Sequence, residues 1–161
     1  MENISENKFF FAVKALIFCG DKFLIIKRSE KARGDSLLWD FPGGRLEFSE
    51  KPLEALKREI FEETGIKNIE ILYPINLWKF LKNTQTQVIG ATYLCKTKEN
   101  EVYLSEEHSD YAWISKNEIS GYNICEGIVN DMNKWNWDKI YSDLEIKIDD
   151  FSSDIVIKKD L

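Results

Sequence analysis

The stretch that decides the fold is GRLEFSEKPLEALKREIFEETGI, residues 44–66. Within it, Glu59, Glu62 and Glu63 are spaced i, i+3 and i+4. On an α-helix these positions share an arc of roughly 100°, so the three carboxylates can converge on one ligand. The stretch therefore predicts a helix whose acidic face looks into a cleft.

The rest of the stretch gives this helix an apolar face and two ends. Ser49 is the expected N-cap, Pro52 fits the first turn, and Gly65 is the residue type that usually follows a helix end. The apolar stripe expected to pack on the core consists of Leu53, Leu56 and Ile60.

The run KREIFEE alone is also typical of a solvated helix with Glu and Lys pairs. The whole stretch, however, matches the pattern G-x5-E-x7-R-E-U-x-E-E-x-G-U (U aliphatic) at every fixed position. It resembles the Nudix hydrolase signature. The preceding WDFPGG (residues 39–44) extends this resemblance, and a looser likeness runs over residues 9–119. Ser49 stands where many members carry glycine.

The resemblance implies an α+β fold, an α/β/α sandwich with a mixed sheet between helices. It also implies metal-dependent hydrolysis of a nucleoside diphosphate linked to a group X, with Mg²⁺ or Mn²⁺ as cofactor. By the resemblance, Glu59 and Glu63 are metal ligands, Glu62 is a further ligand or a base, and the Gly43 carbonyl is an extra donor. Carboxylate oxygens are hard ligands that suit these ions.

Further candidates surround this cluster. Arg58 can orient carboxylates, although a surface ion pair is the simpler reading of its spacing. Glu107 is a candidate extra metal ligand. His108, on a predicted loop, is either a base or ligand, as in some family members, or simply exposed.

Five residues are candidates for binding the substrate, and His108 is one of them. Arg28 and Arg45 could hold phosphate oxygens or act as surface charges. Gly44 permits close approach of the backbone to a ligand. Glu47 could be an outer ligand or a solvated loop acid.

Composition limits the functional classes. The 161 residues favour a single domain over the whole chain, 1–161. A net charge of -6 argues against a nucleic-acid or membrane-surface partner. Three separated cysteines and a polar N-terminal segment favour a reducing cytoplasm without a targeting signal. Monomer and homodimer both stay open.

The remaining chain predicts the element order β-β-β-α-β-β-β. Strands are expected at residues 9–18, 22–28, 37–41, 69–72, 76–81 and 87–97, and a loop feeding a short strand at 104–114. A short helix is expected to start at 115–119, and a second helix covers 125–137. Residues 141–161 form an added strand or a tail. Trp78 and Phe80 are among the aromatics that could stack on a base, although such spacing is typical of a core.

The substrate is expected to be a small nucleotide. Markers of the ADP-ribose, dinucleoside polyphosphate, coenzyme A and NADH subgroups are missing. This favours a (deoxy)nucleoside triphosphate pyrophosphohydrolase that releases a nucleoside monophosphate and pyrophosphate, with oxidised nucleotides among the candidates. Nucleotide sugars and, through the segment SEEHSDYAW, dinucleoside polyphosphates stay open. A catalytically silent nucleotide sensor is the alternative from another class; an isomerase would need a cysteine near the stretch.

Overall fold

The computed structural model describes residues 6–30 and 37–146. Within these ranges, the helices pack on one sheet of seven strands. The elements are β1 (Lys8–Cys19), β2 (Lys22–Arg28), β3 (Trp39–Asp40), β4 (Gly43–Arg45), α1 (Pro52–Thr64), β5 (Glu70–Asn83), β6 (Thr86–Lys96), β7 (His108–Ile114), a 3₁₀ helix (Lys116–Gly121), α2 (Glu126–Met132) and α3 (Trp137–Asp143).

The sheet is mixed, with the strand order β3-β2-β1-β6-β5. β1 and β6 run parallel along almost their whole lengths, and the other pairs are antiparallel. β2 accompanies β1 only at Phe18 and Cys19, whereas β4 pairs with β1 at Ala12, Val13 and Lys14. On the same edge, β1 thus exchanges one neighbour, β4, for another, β2, along its length. The sheet is therefore split between β4 and β2.

Two hydrophobic cores lie on opposite faces of the sheet. Leu16 and Phe18 of β1 belong to the core that includes α2 and α3, whereas Val13 and Ile17 belong to the core that includes α1. This alternation follows from the two-residue period of a strand. Helices therefore cover both faces, which confirms the expected α+β fold with a mixed sheet between helices.

The two strands expected at 69–72 and 76–81 form the single strand β5, so that part of the prediction was wrong. Pro74 interrupts the sequence pattern, but β5 is an edge strand and Pro74 is exposed on it. Proline is tolerated on an edge, where its missing N–H costs no ladder hydrogen bond. The register shifts at Tyr73 and Asn76 absorb the irregularity.

The C-terminal helical prediction was also partly wrong. The helix expected over 125–137 ends at Met132, and a separate helix, α3, begins at Trp137. Asn136 causes the restart, because its side chain accepts a hydrogen bond from the Lys139 N–H as an N-cap. Residues 141–143 belong to α3 rather than to a strand or tail, and residues 147–161 lie outside the described part.

Helix α1 begins later than expected. Its N-cap is Lys51, while Ser49 lies in a preceding turn with a φ of 63°, the left-handed region that glycine favours. Leu53 is 47% exposed, and Ala55 takes its place in the core beside Leu56 and Ile60. Leu53 therefore lies at the edge of the buried face rather than within it. In the described ranges, the helices are all too short or too polar to span a membrane.

Candidate active site

Helix α1 points its acidic residues at the β4 turn, with a gradient of burial along the cluster. Glu63 is only 9% exposed, and its Oε2 accepts a hydrogen bond of 2.7 Å from the Gly43 N–H. Glu59 is half-buried, and the Glu62 side chain is 54% exposed. Gly43 thus contacts the cluster through its N–H group, whereas the resemblance implied that its carbonyl is an extra metal donor.

Arg58 ties the acidic residues together. Its Nε and one Nη donate to the two carboxylate oxygens of Glu50 at 2.8 and 3.0 Å. The other Nη donates to Glu59 at 2.9 Å and to Glu62 at 3.1 Å. This bidentate geometry lowers the pKa of Glu50 from 4.5 to about 2 and raises the pKa of Arg58 itself. The contacts fit the expected orienting role better than an isolated surface pair.

Two glycines allow the turn to sit against both the sheet and α1. Gly43 has a φ of 140°, and a Cβ there would lie 2.8 Å from the Lys14 Cα and overlap the Val13 carbonyl. A Cβ on Gly44 would lie 2.5 Å from the Glu59 Cδ. Gly43 is required because a side chain there would overlap the β1 backbone, and Gly44 leaves room for the Glu59 carboxylate.

Lys14 and Asp40 support the same turn, and sequence reasoning missed both. The Lys14 Nζ lies 2.7 Å from the Asp40 Oδ2 and donates to the Phe41 carbonyl at 3.1 Å, while the Asp40 Oδ1 accepts from the Phe41 N–H. Both side chains are largely buried. A lysine inside the apolar run FFFAVKALIF was the available signal, since a buried strand lysine needs a partner.

His108 is the buried first residue of β7, and the prediction of an exposed loop position was wrong. Its Nε2 lies 3.8 Å from the Glu63 Oε1, and its Nδ1 faces the Ser105 hydroxyl at 3.3 Å. Burial lowers the pKa of His108 to about 4, with nearby Lys14 acting in the same direction. The imidazole is therefore neutral at pH 7, and its approach to Glu63 is not an ion pair.

Burial also dominates the electrostatics of the glutamates. It raises the pKa of Glu63 to about 7, against the opposing influence of Lys14 and of the Gly43 hydrogen bond. It raises the pKa of Glu59 as well, with Arg58 acting in the opposite direction. A carboxylate cluster whose burial opposes ionisation is an environment that favours an added cation.

The other predicted substrate residues lie around this centre. Arg45 and Glu47 are exposed, and both line an open cavity of about 360 Å³ with Phe10, Leu46, Arg58 and Glu59. Arg28 pairs with His108 across β2 and β7. Glu107 is exposed in the turn before β7, where its carbonyl accepts from the Ser29 N–H. A larger groove of about 1330 Å³ lies at the other end of β1, beside Phe18 and Lys96.

Comparisons with known proteins identify this architecture. A family model described as the NUDIX domain matches residues 8–134. A MutT-like protein from Streptomyces ambofaciens is 33% identical over 88 residues, which cover 55% of this chain and 54% of that protein. A nucleoside triphosphatase, NudI, from Escherichia coli O17:K52:H18 is 32% identical over 97 residues, which cover 53% of this chain and 67% of that protein. The chain thus spans about half the length of the first of these relatives.

The crystal structure of a MutT protein from Methanosarcina mazei Go1 has the same fold. It matches with a TM-score of 0.73 at 28% identity, covering 83% of this chain and 97% of that one. Fold and acidic helix together define an α/β/α protein of the MutT type. The chain belongs to the NUDIX family. This confirms the membership in the Nudix hydrolases that residues 44–66 predict.

Proposed function

We propose that the protein is a metal-dependent pyrophosphohydrolase of nucleoside triphosphates. The observation that carries the proposal is the packing of the acidic helix against the glycine turn. Gly43 binds Glu63, and Gly44 leaves space for Glu59. The similarity to a protein named as a nucleoside triphosphatase supports this substrate class. The nucleoside monophosphate and pyrophosphate are the proposed products.

The donor set fits Mg²⁺ or Mn²⁺ by its chemistry, and we assign Glu59, Glu62 and Glu63 to hold the ion. Within residues 6–30 and 37–146, the acidic, histidine and cysteine side chains do not form a ready-made cluster of three around a metal position. Instead, Glu59 and Glu62 are bonded to Arg58. A bound divalent cation would neutralise phosphate charge and activate water for attack. The Gly43 carbonyl and Glu107 stay predictions as further ligands.

The chain's own residues supply positioning. The absence of a side chain on Gly44 lets the Glu59 carboxylate approach the β4 backbone, and a contact of Gly44 with the substrate stays a prediction. Arg45, which lines the cavity beside Glu59, is placed to neutralise one of these oxygens, and Arg28 is the second candidate for this role. The exposed Glu62 is the proposed acceptor of the proton from the attacking water. The neutral His108 places its Nε2 3.8 Å from the Oε1 of the buried Glu63.

In the proposed reaction, water adds to the α- or β-phosphorus atom, and the bond from that atom to the oxygen between the two breaks, which separates the nucleoside monophosphate from pyrophosphate. The terminal phosphate is not the point of attack, so free orthophosphate is not a product. Hydrolysis in ¹⁸O-labelled water, followed by mass analysis of both products, tests this assignment. Label in orthophosphate together with a nucleoside diphosphate would show cleavage at the wrong bond.

A substrate panel with and without Mg²⁺ tests the substrate class. We expect turnover of nucleoside triphosphates that stops in chelator and is largely lost in Glu63→Gln, which keeps the shape of the side chain. Glu126→Gln, at an exposed position in the first turn of α2, is the matched control and should keep full activity. Turnover restricted to nucleotide sugars or dinucleoside polyphosphates would defeat the substrate assignment. Binding without turnover would identify a silent nucleotide sensor.

A further inference from the structure

An aromatic surface lies on the sheet beyond the area that α2 and α3 cover. The rings of Trp78 and Phe80 on β5 are stacked, with centroids 6.1 Å apart and planes inclined by 15°. Phe80 is 53% exposed. Among the described residues, the two hydrophobic cores are built without either ring. The pair is therefore not explained by packing of the core, which was the simpler reading of its spacing.

The sheet is shaped to hold the indole in place. Trp78 lies opposite Gly90 of β6, and a Cβ on Gly90 would be 2.7 Å from the Trp78 Cε2. The indole Nε1 donates to the Thr92 hydroxyl at 3.1 Å. The glycine opposite the indole and the hydrogen bond from its Nε1 thus hold the Trp78 ring in place, and the half-exposed Phe80 ring stacks with it.

The strand register connects this surface with the candidate active site. Arg45 pairs with Ala12, Ala12 with Gly90, and Gly90 with Trp78, so these residues form one row across four strands. Directly paired residues present their side chains on the same face. Three strand spacings separate the ends of the row, which is about 14 Å. This is comparable with the length of an extended nucleoside diphosphate.

The two ends of the row differ in chemistry. The Arg45 guanidinium stacks over the Phe10 ring at 4.8 Å, beside the cavity that Glu59 also lines. This end offers positive charge next to the proposed metal ligands. The other end offers the half-exposed Phe80 ring stacked with Trp78, and small residues, Ala12 and Gly90, lie between the two ends. Charge for phosphates and π-faces for a planar ring are the two requirements for binding a nucleotide.

We infer that Trp78 and Phe80 form the platform on which the base of the substrate nucleotide stacks, while Arg45 holds its phosphates. The inference rests on the proposed nucleotide substrate and adds the residues that recognise the base. Stacking is tolerant of base identity, because every base has a π-face. The platform therefore contributes affinity for nucleotides over base-free polyphosphates.

Steady-state kinetics of variants at exposed positions test the inference. Phe80→Leu should raise KM for nucleoside triphosphates about 5- to 150-fold, the range expected for the loss of one stacked base, with kcat nearly unchanged. Phe80→Tyr, which keeps the ring, should restore the wild-type KM. Leu81→Ala is the matched control, because Leu81 is 68% exposed on the opposite face of β5 and should have no effect. Inorganic tripolyphosphate should inhibit all variants with the same inhibition constant.

A binding measurement separates this inference from the proposed function. A non-hydrolysable nucleoside triphosphate should quench tryptophan fluorescence in the wild type, and Trp78→Phe should remove most of the quenching. Normal turnover with an unchanged KM in Phe80→Leu would overturn the inference and leave the proposed function standing. If nucleoside triphosphates are not turned over, the proposed function fails. Fluorescence quenching that is weaker in Phe80→Leu than in the wild type would then still support the platform. An affinity for the analogue that is the same in Phe80→Leu as in the wild type would refute it.

Discussion

Replacing Arg58 by lysine isolates the contribution of the guanidinium from that of its charge. The side chain makes five hydrogen bonds, to Glu50, Glu59, Glu62 and the Arg45 carbonyl. A lysine ammonium carries three donors on one atom and cannot span these acceptors. At least two charge-assisted hydrogen bonds are therefore lost.

The size of the effect follows from the partial exposure of the site. Hydrogen bonds to charged groups contribute about 1.5–3 kcal/mol each where they are protected from water, and exposed ion pairs about 0–1 kcal/mol. The Arg58 side chain is 25% exposed. Two lost bonds should therefore lower the free energy of unfolding by about 1–2 kcal/mol. Activity should fall further, about 10- to 100-fold, as is usual when a residue that orients metal ligands is replaced.

Urea unfolding measures the loss of stability in Arg58→Lys. The loss of activity is measured as kcat, at a temperature where the wild type and the variant are both folded. Lys57→Arg, at the exposed neighbouring position on α1, is the control and should change neither quantity. Glu50→Gln combined with Arg58→Lys should cost less than the sum of the single changes, because both remove the same bidentate contact. Wild-type stability and kcat in Arg58→Lys would refute the orienting role.

Three further outcomes follow from individual contacts. Gly44→Ala should leave the protein folded but lower kcat, because the added Cβ would lie 2.5 Å from the Glu59 Cδ and displace that carboxylate; an unchanged kcat would contradict the contact. Cys95 should resist alkylation at pH 8 until urea unfolds the protein, since burial raises its pKa to about 12; modification of the folded protein, detected by mass spectrometry, would show that the thiol is accessible. The Arg58 hydrogen bond lowers the pKa of Glu50 from 4.5 to about 2, so its stabilisation is complete above pH 4.5 and is lost as the pH falls towards 2. Urea midpoints at pH 7 and pH 3 should therefore differ less in Glu50→Gln than in the wild type, and equal differences would exclude this contribution.

Local patterns predicted the elements that local interactions determine. β2 has the predicted bounds, and α1 ends at Thr64 with Gly65 following it as expected, in the left-handed conformation. The beginning of α1 was harder to predict, because Ser49 is chemically a good N-cap. Its φ of 63° belongs to the turn in which the Glu47 N–H donates to the Glu50 carboxylate, which also accepts from Arg58 eight residues further along the chain.

Long-range contacts explain what the sequence did not predict. Lys14 and Asp40 are 26 residues apart, and their ion pair depends on the exchange of β2 for β4 along β1. The same split brings His108 of β7 towards Glu63 of α1. Helical periodicity placed three glutamates on one face but could not show that Glu59 and Glu63 are largely buried while Glu62 stays exposed. That difference depends on where the sheet opens.

The split in the sheet also links the burial of Glu63 to its place in the site. A carboxyl group at 9% exposure requires a partner, and the Gly43 N–H from β4 supplies it, while the His108 ring of β7 lies 3.8 Å away on another side. If β2 followed β1 without interruption, β4 could not pair with β1 at Lys14, and Gly43 would not reach Glu63. The same pairing places Arg45 in one row with Trp78. One topological feature, the exchange of neighbours along β1, therefore positions both the acidic centre and the proposed path of the nucleotide across the sheet.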